Sequence, residues 1–249
     1  MKNIVDIYNK YKIVINLQEN QRRVAAISKI VADHILVPLD KKGVVIASLL
    51  HDMGNILKFD LSVFKDYSEL DDQSYAEMMR KHWVGIFGDN KESADIFVNT
   101  LLENGRDYWH KVKAEYASRY GTNEHAATIA IAQELQVPEN IIDYLRNIGF
   151  SNLDKVYESQ SLEEKICAYA DMRVAIYGVA SIDQRLEDAR KRYKNMDHSI
   201  VSNKYEELAD ALRKIEKQIQ EKTSIDLSSI DDAMVNPIMQ ELSNFDLES

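Results

Sequence analysis

Cysteine is nearly missing from this chain. Cys167 is the single one in 249 residues, which excludes an intramolecular disulfide and a cysteine-rich zinc cage. Set in Lys165-Ile166-Cys167-Ala168-Tyr169-Ala170, it reads as a small buried hydrophobe on a core helix. Turn-formers are equally scarce: 8 Gly and 3 Pro leave little material for the tight turns of a sheet-rich fold. Positive charge is in deficit, with 31 Lys and Arg against 41 Asp and Glu and a net charge of −10. That balance argues against broad nucleic-acid binding through counterion release. It leaves room for a small anionic substrate, because a local cation or metal can reverse the potential within one cleft. No apolar run approaches the roughly 20 residues needed to cross a bilayer. Met1-Lys2-Asn3-Ile4-Val5-Asp6 lacks the apolar core of a signal peptide, so the expectation is a cytoplasmic protein. Gly-rich phosphate loops, Walker-type motifs and Ser–His–Asp arrangements are also missing.

What is present is helical periodicity. In Gln21–Ile35 the apolar residues Val24, Ile27, Val31 and Ile35 recur at three and four positions and define one buried stripe. Gly43–Leu50 is short and strongly apolar; strand content is compatible with it, but without partner strands it is expected as a central helix. Asp60–Asp72 is polar and irregular, and Asp71–Phe87 and Asn90–Leu102 read as weaker helices. Asn104–Tyr120 is a helix stopped by Gly121, followed by Glu124–Leu135 and by Glu139–Asn147, which Pro138 opens and Gly149 ends. Ser161-Leu162-Glu163-Glu164 has capping-box form, with Glu164 placed to reach back to Ser161. The helix it opens carries Ile166, Ala170 and Val174 along one side and includes Asp171. Ile182–Tyr193 and Lys204–Thr223 are charge-rich amphipathic helices, and His198 falls in a polar loop before the second. Asn236–Leu242, containing Pro237, closes the chain as a short helix. The economical reading is one all-α bundle, with residues 1–180 as the main helical domain and 181–249 as a C-terminal helical extension packed on it. The extension's apolar stripe serves equally to cover the core or to pair two copies as a homodimer.

Leu49-Leu50-His51-Asp52-Met53-Gly54-Asn55 carries the chemistry. An apolar run ends there in a histidine and an aspartate, groups that are costly at the edge of a core unless something satisfies them. A divalent metal does so, since imidazole nitrogen and carboxylate oxygen both ligate Mn, Fe, Co, Ni or Zn. A helix-terminal His beside a capping Asp is the competing reading. Asp171 in Tyr169-Ala170-Asp171-Met172-Arg173 is an acid in an apolar stretch, which calls for a metal or for an ion pair with Arg173 or Lys165.

Arg22-Arg23-Val24-Ala25, the apolar run into His51-Asp52-Met53-Gly54, and the distant Tyr169-Ala170-Asp171 together resemble the HD-domain superfamily of metal-dependent phosphohydrolases, over roughly Leu17–Val174. The resemblance implies an HD-type helical bundle in which His51, Asp52 and Asp171 ligate the metal. The family's earlier histidine stands four positions before the Val of this segment, and here that position is Asn20. An amide oxygen is a harder, poorer ligand for a late first-row ion than imidazole. A weakened or lost metal, a harder ion such as Mg or Mn, and an engineered substitution each account for Asn20. His34 lies fourteen residues on, roughly 20 Å along a straight helix, too far to replace it.

For the remaining roles the resemblance implies phosphate-neutralising cations, and Arg22, Arg23, Lys58 and Arg173 are the candidates. Arg22 and Arg23 lie about 100° apart on a helix, so one at most points inward, and Arg23 is preferred as the catalytic one. Asp60 matches an acidic position that orients water or leaving group in some relatives, or else it is a helix N-cap. His125, at a predicted helix start where N–H groups favour anions, either faces the cleft or does not. His82 and His110 read as ordinary surface histidines. Asn55 stands where relatives often have Lys or Glu, leaving the general acid or base unassigned. The expectation is hydrolysis of a small phosphate monoester or nucleotide with a divalent cofactor (Mn, Co, Ni, Mg or Fe). A degenerate HD domain that binds a nucleotide without turnover is the alternative, and an HD-type di-iron oxygenase ranks below both.

Overall fold

Helix after helix is set by a local signal and then buried by its neighbours. The structure, a computed structural model, describes residues 3–58, 74, 77, 104, 106–175, 178–193 and 198–248. The segments expected at 60–72, 71–87 and 90–102, with Asp60 and His82, lie outside the described residues. The first three helices are α1 (Ile4–Lys10), α2 (Ile15–His34) and α3 (Lys41–Leu50). Then follow α4 (Arg106–Tyr120), α5 (Glu124–Glu134), α6 (Glu139–Asn147), α7 (Leu153–Glu158) and α8 (Leu162–Asp171). A two-stranded antiparallel hairpin, β1 (Val174–Ala175) and β2 (Gly178–Val179), leads to α9 (Ile182–Tyr193), α10 (His198–Gln220) and α11 (Asp232–Glu241). The fold is predominantly helical.

The centre is α3. Asp40 caps it by accepting from the Gly43 amide at 2.9 Å, and every residue from Gly43 to Leu50 is buried. A ten-residue helix that is apolar on all sides must be covered on all sides, and α2, α6 and α8 cover it. The expected stripe of α2 is in place: Val24, Ile27 and Val31 are fully buried and Ile35, just past the helix, is nearly so. The helix starts six residues earlier than the stripe, because its first turns carry half-buried polar residues that give no periodic signal. Tyr8 of α1 donates to the Leu49 carbonyl at 2.7 Å and so fastens the amino terminus to the end of α3.

Four sequence expectations are corrected. Helix α8 stops at Asp171, so Val174 is not on its face but pairs with Val179 in the hairpin. The capping box is also rearranged: Ser161 Oγ accepts from the Glu164 amide at 3.2 Å, but Glu163 is the residue that accepts from Ser161 and from the Asp40 amide, each at 3.1 Å. His198 is the first residue of α10 rather than part of a loop. Helix α11 begins at Asp232, four residues before the expected start, with Asp231 as its cap and Pro237 inside it. The C-terminal segments pack on the rest: α11 on α2, and α10 on α7 and α8. No helix among the described residues is long and apolar enough to cross a membrane.

Candidate active site

Two helices end at the same place. His51 is the C-cap of α3 and Asp171 is the last residue of α8. Helix C-termini carry partial negative charge and favour a cation, and here two carboxylates are added to that field. The chain turns through 51–54 into a single 3-10 turn, Asn55–Lys58, and the turn is held tightly against α5. The Gly54 amide donates to Thr128 Oγ1 at 2.9 Å, and that hydroxyl donates to the Glu124 carbonyl at 3.0 Å. A Cβ on Gly54 would stand 2.1 Å from the Glu124 carbonyl oxygen. Glycine is required by this close approach, which is why it follows the His–Asp pair.

The imidazole of His51 is buried and oriented. Nδ1 lies 2.8 Å from the Ser48 carbonyl, to which it must donate, so in the neutral ring the Nε2 lone pair is left exposed to its surroundings. Nε2 is buried with no hydrogen-bond partner, between Asp52 Oδ2 and Asp171 Oδ1, each at 3.5 Å. A lone pair facing two carboxylates is repulsive, and only a cation resolves it: a proton on Nε2, or a metal. Burial disfavours the charged ring, yet the two aspartates outweigh it and push His51 up to about 9. Burial raises Asp52 above its ordinary value, against the pull of His51. Burial also opposes ionisation of Asp171, but the imidazole beside it leaves this carboxyl below the usual range. Asp171 therefore pairs with His51, and not with Arg173 or Lys165. Asn55 Nδ2 donates to Asp52 Oδ2 at 3.0 Å and steadies the second carboxylate.

These groups open onto a cavity of about 710 Å³, a size that suits a small-molecule ligand. Of the residues expected at the site, His51, Asp52, Asp171, Lys58 and His125 line it. His125 Nε2 donates to the Arg146 carbonyl at 3.0 Å, and Lys58 meets Glu124 at 2.8 Å. Four do not line it. Asn20 and Arg22 lie half-buried on α2, with Arg22 close enough to act electrostatically on Tyr8. Arg23 approaches Asp232 of α11 at 3.8 Å. Arg173, expected to bind phosphate, is a correction in kind: it is buried, with Nε donating to Ala180 O at 2.6 Å, Nη1 to Tyr169 Oη and to Leu227 O at 2.8 Å, and Nη2 to Ile230 O at 2.9 Å. Its donors are spent on holding the C-terminal segment to the end of α8.

Arg185 of α9 lines the cavity and escaped the sequence reading. Its segment looked like a solvated helix face, and its distance along the chain from the motif hid it. Among the described residues, no group of three or more His, Cys, Asp or Glu side chains is arranged so that it could hold a metal ion. The donor types at His51, Asp52 and Asp171 are those of a metal ligand set, with the unpartnered Nε2 3.5 Å from a carboxylate oxygen of each aspartate. Compared with protein-family models, with curated proteins and with solved structures, the chain matches none.

Proposed function

We propose that the chain is a metal-dependent phosphohydrolase of the HD-domain type, acting on a small phosphate monoester or nucleotide. The observation that carries this reading is the buried Nε2 of His51, oriented by Ser48 and set between two carboxylates with no hydrogen bond of its own. A purely structural histidine would spend both nitrogens on hydrogen bonds. His51, Asp52 and Asp171 would hold a divalent ion of the Mn, Co, Ni, Mg or Fe class. Such an ion, when bound, lowers the pKa of a coordinated water and polarises a phosphoryl oxygen. The chain's own residues do the rest. Ser48 fixes the imidazole tautomer, Asn55 orients Asp52, and the Lys58–Glu124 pair with His125 borders the space a ligand would fill.

A second reading, a degenerate domain that binds a nucleotide without turnover, is favoured by one observation. Asn20 stands where the family's first histidine is expected, and it is not among the residues lining the cavity. Calorimetric titration with Mn, Co, Ni and Mg, followed by phosphate release from mononucleotides and simple phosphoesters, tests both. Metal binding with turnover is the expected result, and absence of metal binding overturns the enzymatic reading. Activity that appears only in Asn20→His would establish the second.

A further inference from the structure

Besides His51, the basic side chains that line the cavity among the described residues are Lys58, His125 and Arg185, and they differ in what already engages them. Lys58 sits 2.8 Å from the Glu124 carboxylate, so its charge is locally balanced. His125 has committed Nε2 to the Arg146 carbonyl. Arg185 is different: its Nε is buried with no hydrogen-bond partner, and the carboxylate nearest its Nη1, Asp188 one turn along α9, stands 3.8 Å away, beyond hydrogen-bonding distance. Arg22, Arg23 and Arg173 do not line the cavity.

A guanidinium offers a planar fork of donors that matches two oxygens of a phosphate at once. A cavity walled by Asp52, Asp171 and Glu124 repels anions unless a cation compensates. We propose that Arg185 binds the anionic group of the ligand, taking phosphoryl oxygens on the side of the cavity opposite in charge to the aspartates. It is thus a substrate-binding residue supplied by the C-terminal extension, and the extension completes the site rather than merely covering the core. The proposal rests on the phosphohydrolase reading for the identity of the anion.

The test separates the two. The full chain is titrated with Mn alone, and then with inorganic phosphate in the presence and absence of Mn, alongside Arg185→Gln and Arg185→Lys, with circular dichroism to establish that each variant folds. Arg185→Gln is expected to weaken phosphate binding about 10–100-fold, the range for losing hydrogen bonds to a charged group, with partial recovery in Arg185→Lys. Mn affinity is expected to hold, because Arg185 is not among the residues that would ligate the ion. In turnover, KM for a phosphoester is expected to rise more than kcat falls. Phosphate affinity within twofold of the parent in Arg185→Gln overturns the inference. So does a parent that takes up Mn but no phosphate, an outcome that leaves the metal reading standing. A parent that binds phosphate through Arg185 without taking up Mn supports the inference and overturns the metal reading.

Discussion

Asp171 and Arg173 are two residues apart at the end of one helix, and they have opposite fates. Arg173 is sealed in, with its guanidinium donating to backbone carbonyls of Ala180, Leu227 and Ile230. Asp171 opens onto a cavity and faces an imidazole nitrogen that has no hydrogen bond. A buried charge whose guanidinium is held by backbone carbonyls is a structural clasp, while a buried polar atom without a partner at a cavity wall is a feature that a clasp does not have. The difference separates a part of the molecule closed on itself from a part that opens onto a cavity.

The contrast is broken most directly at the clasp. Arg173→Met should lower stability by about 3 kcal/mol or more, because three carbonyls lose charged donors in the interior. Urea unfolding measures it, and a loss below about 1 kcal/mol would show that the clasp is dispensable. Gly54→Ala should cost about 2–3 kcal/mol by pushing the 51–54 turn off α5. That variant should also weaken metal binding, whereas Arg173→Met acts on stability first. A Gly54→Ala protein with parental Tm and parental metal affinity would remove the close approach as the reason for glycine.

The next effect is a pH dependence confined to the cavity side. The folded value of His51, about 9, lies above its ordinary 6.5. The stabilisation from its pairing with the aspartates is therefore fully present below about pH 6.5, and it is lost as pH rises through about 9. In metal-free protein the Tm should fall across that window, and Asp171→Asn should flatten the fall. Metal affinity should rise over the same window, since the ion competes with the proton on Nε2. Parallel Tm profiles for the parent and Asp171→Asn would contradict the pairing. The smallest effect belongs to Gln21, fully buried on α2 with both amide atoms unpartnered. Gln21→Met should stabilise by roughly 1 kcal/mol by removing an unsatisfied amide, and a destabilised variant would reveal a hidden partner.

Much of the bundle was legible because its signals are local. Ser161 announces its helix start by capping the amide three residues on, and Val24, Ile27 and Val31 mark the face that meets the core. The hairpin was not legible, because two-residue strands carry no period; Gly178, with φ of 131° and Asp232 within 2.6 Å of a would-be Cβ, acquires its reason only from α11. At the site, His51, Asp52 and Asp171 could be picked out as polar groups stranded in apolar sequence. Arg22, Arg23 and Arg173 could not be told from Arg185, since all lie on helices or just past a helix end and their roles depend on partners far along the chain.

The sequence alone determined most of the described helices, the apolar centre around Val44–Leu50 and the three residues whose chemistry is out of place in apolar sequence. These follow from periodicity, capping and the desolvation of polar groups, all of which act over a few residues. Tertiary structure decided which arginine faces the cavity, why Gly54 must be glycine, and that the C-terminal segment both clasps α8 and reaches the site. Those outcomes depend on contacts between residues 54 and 128 or 173 and 230, and no local rule constrains which distant surfaces will meet.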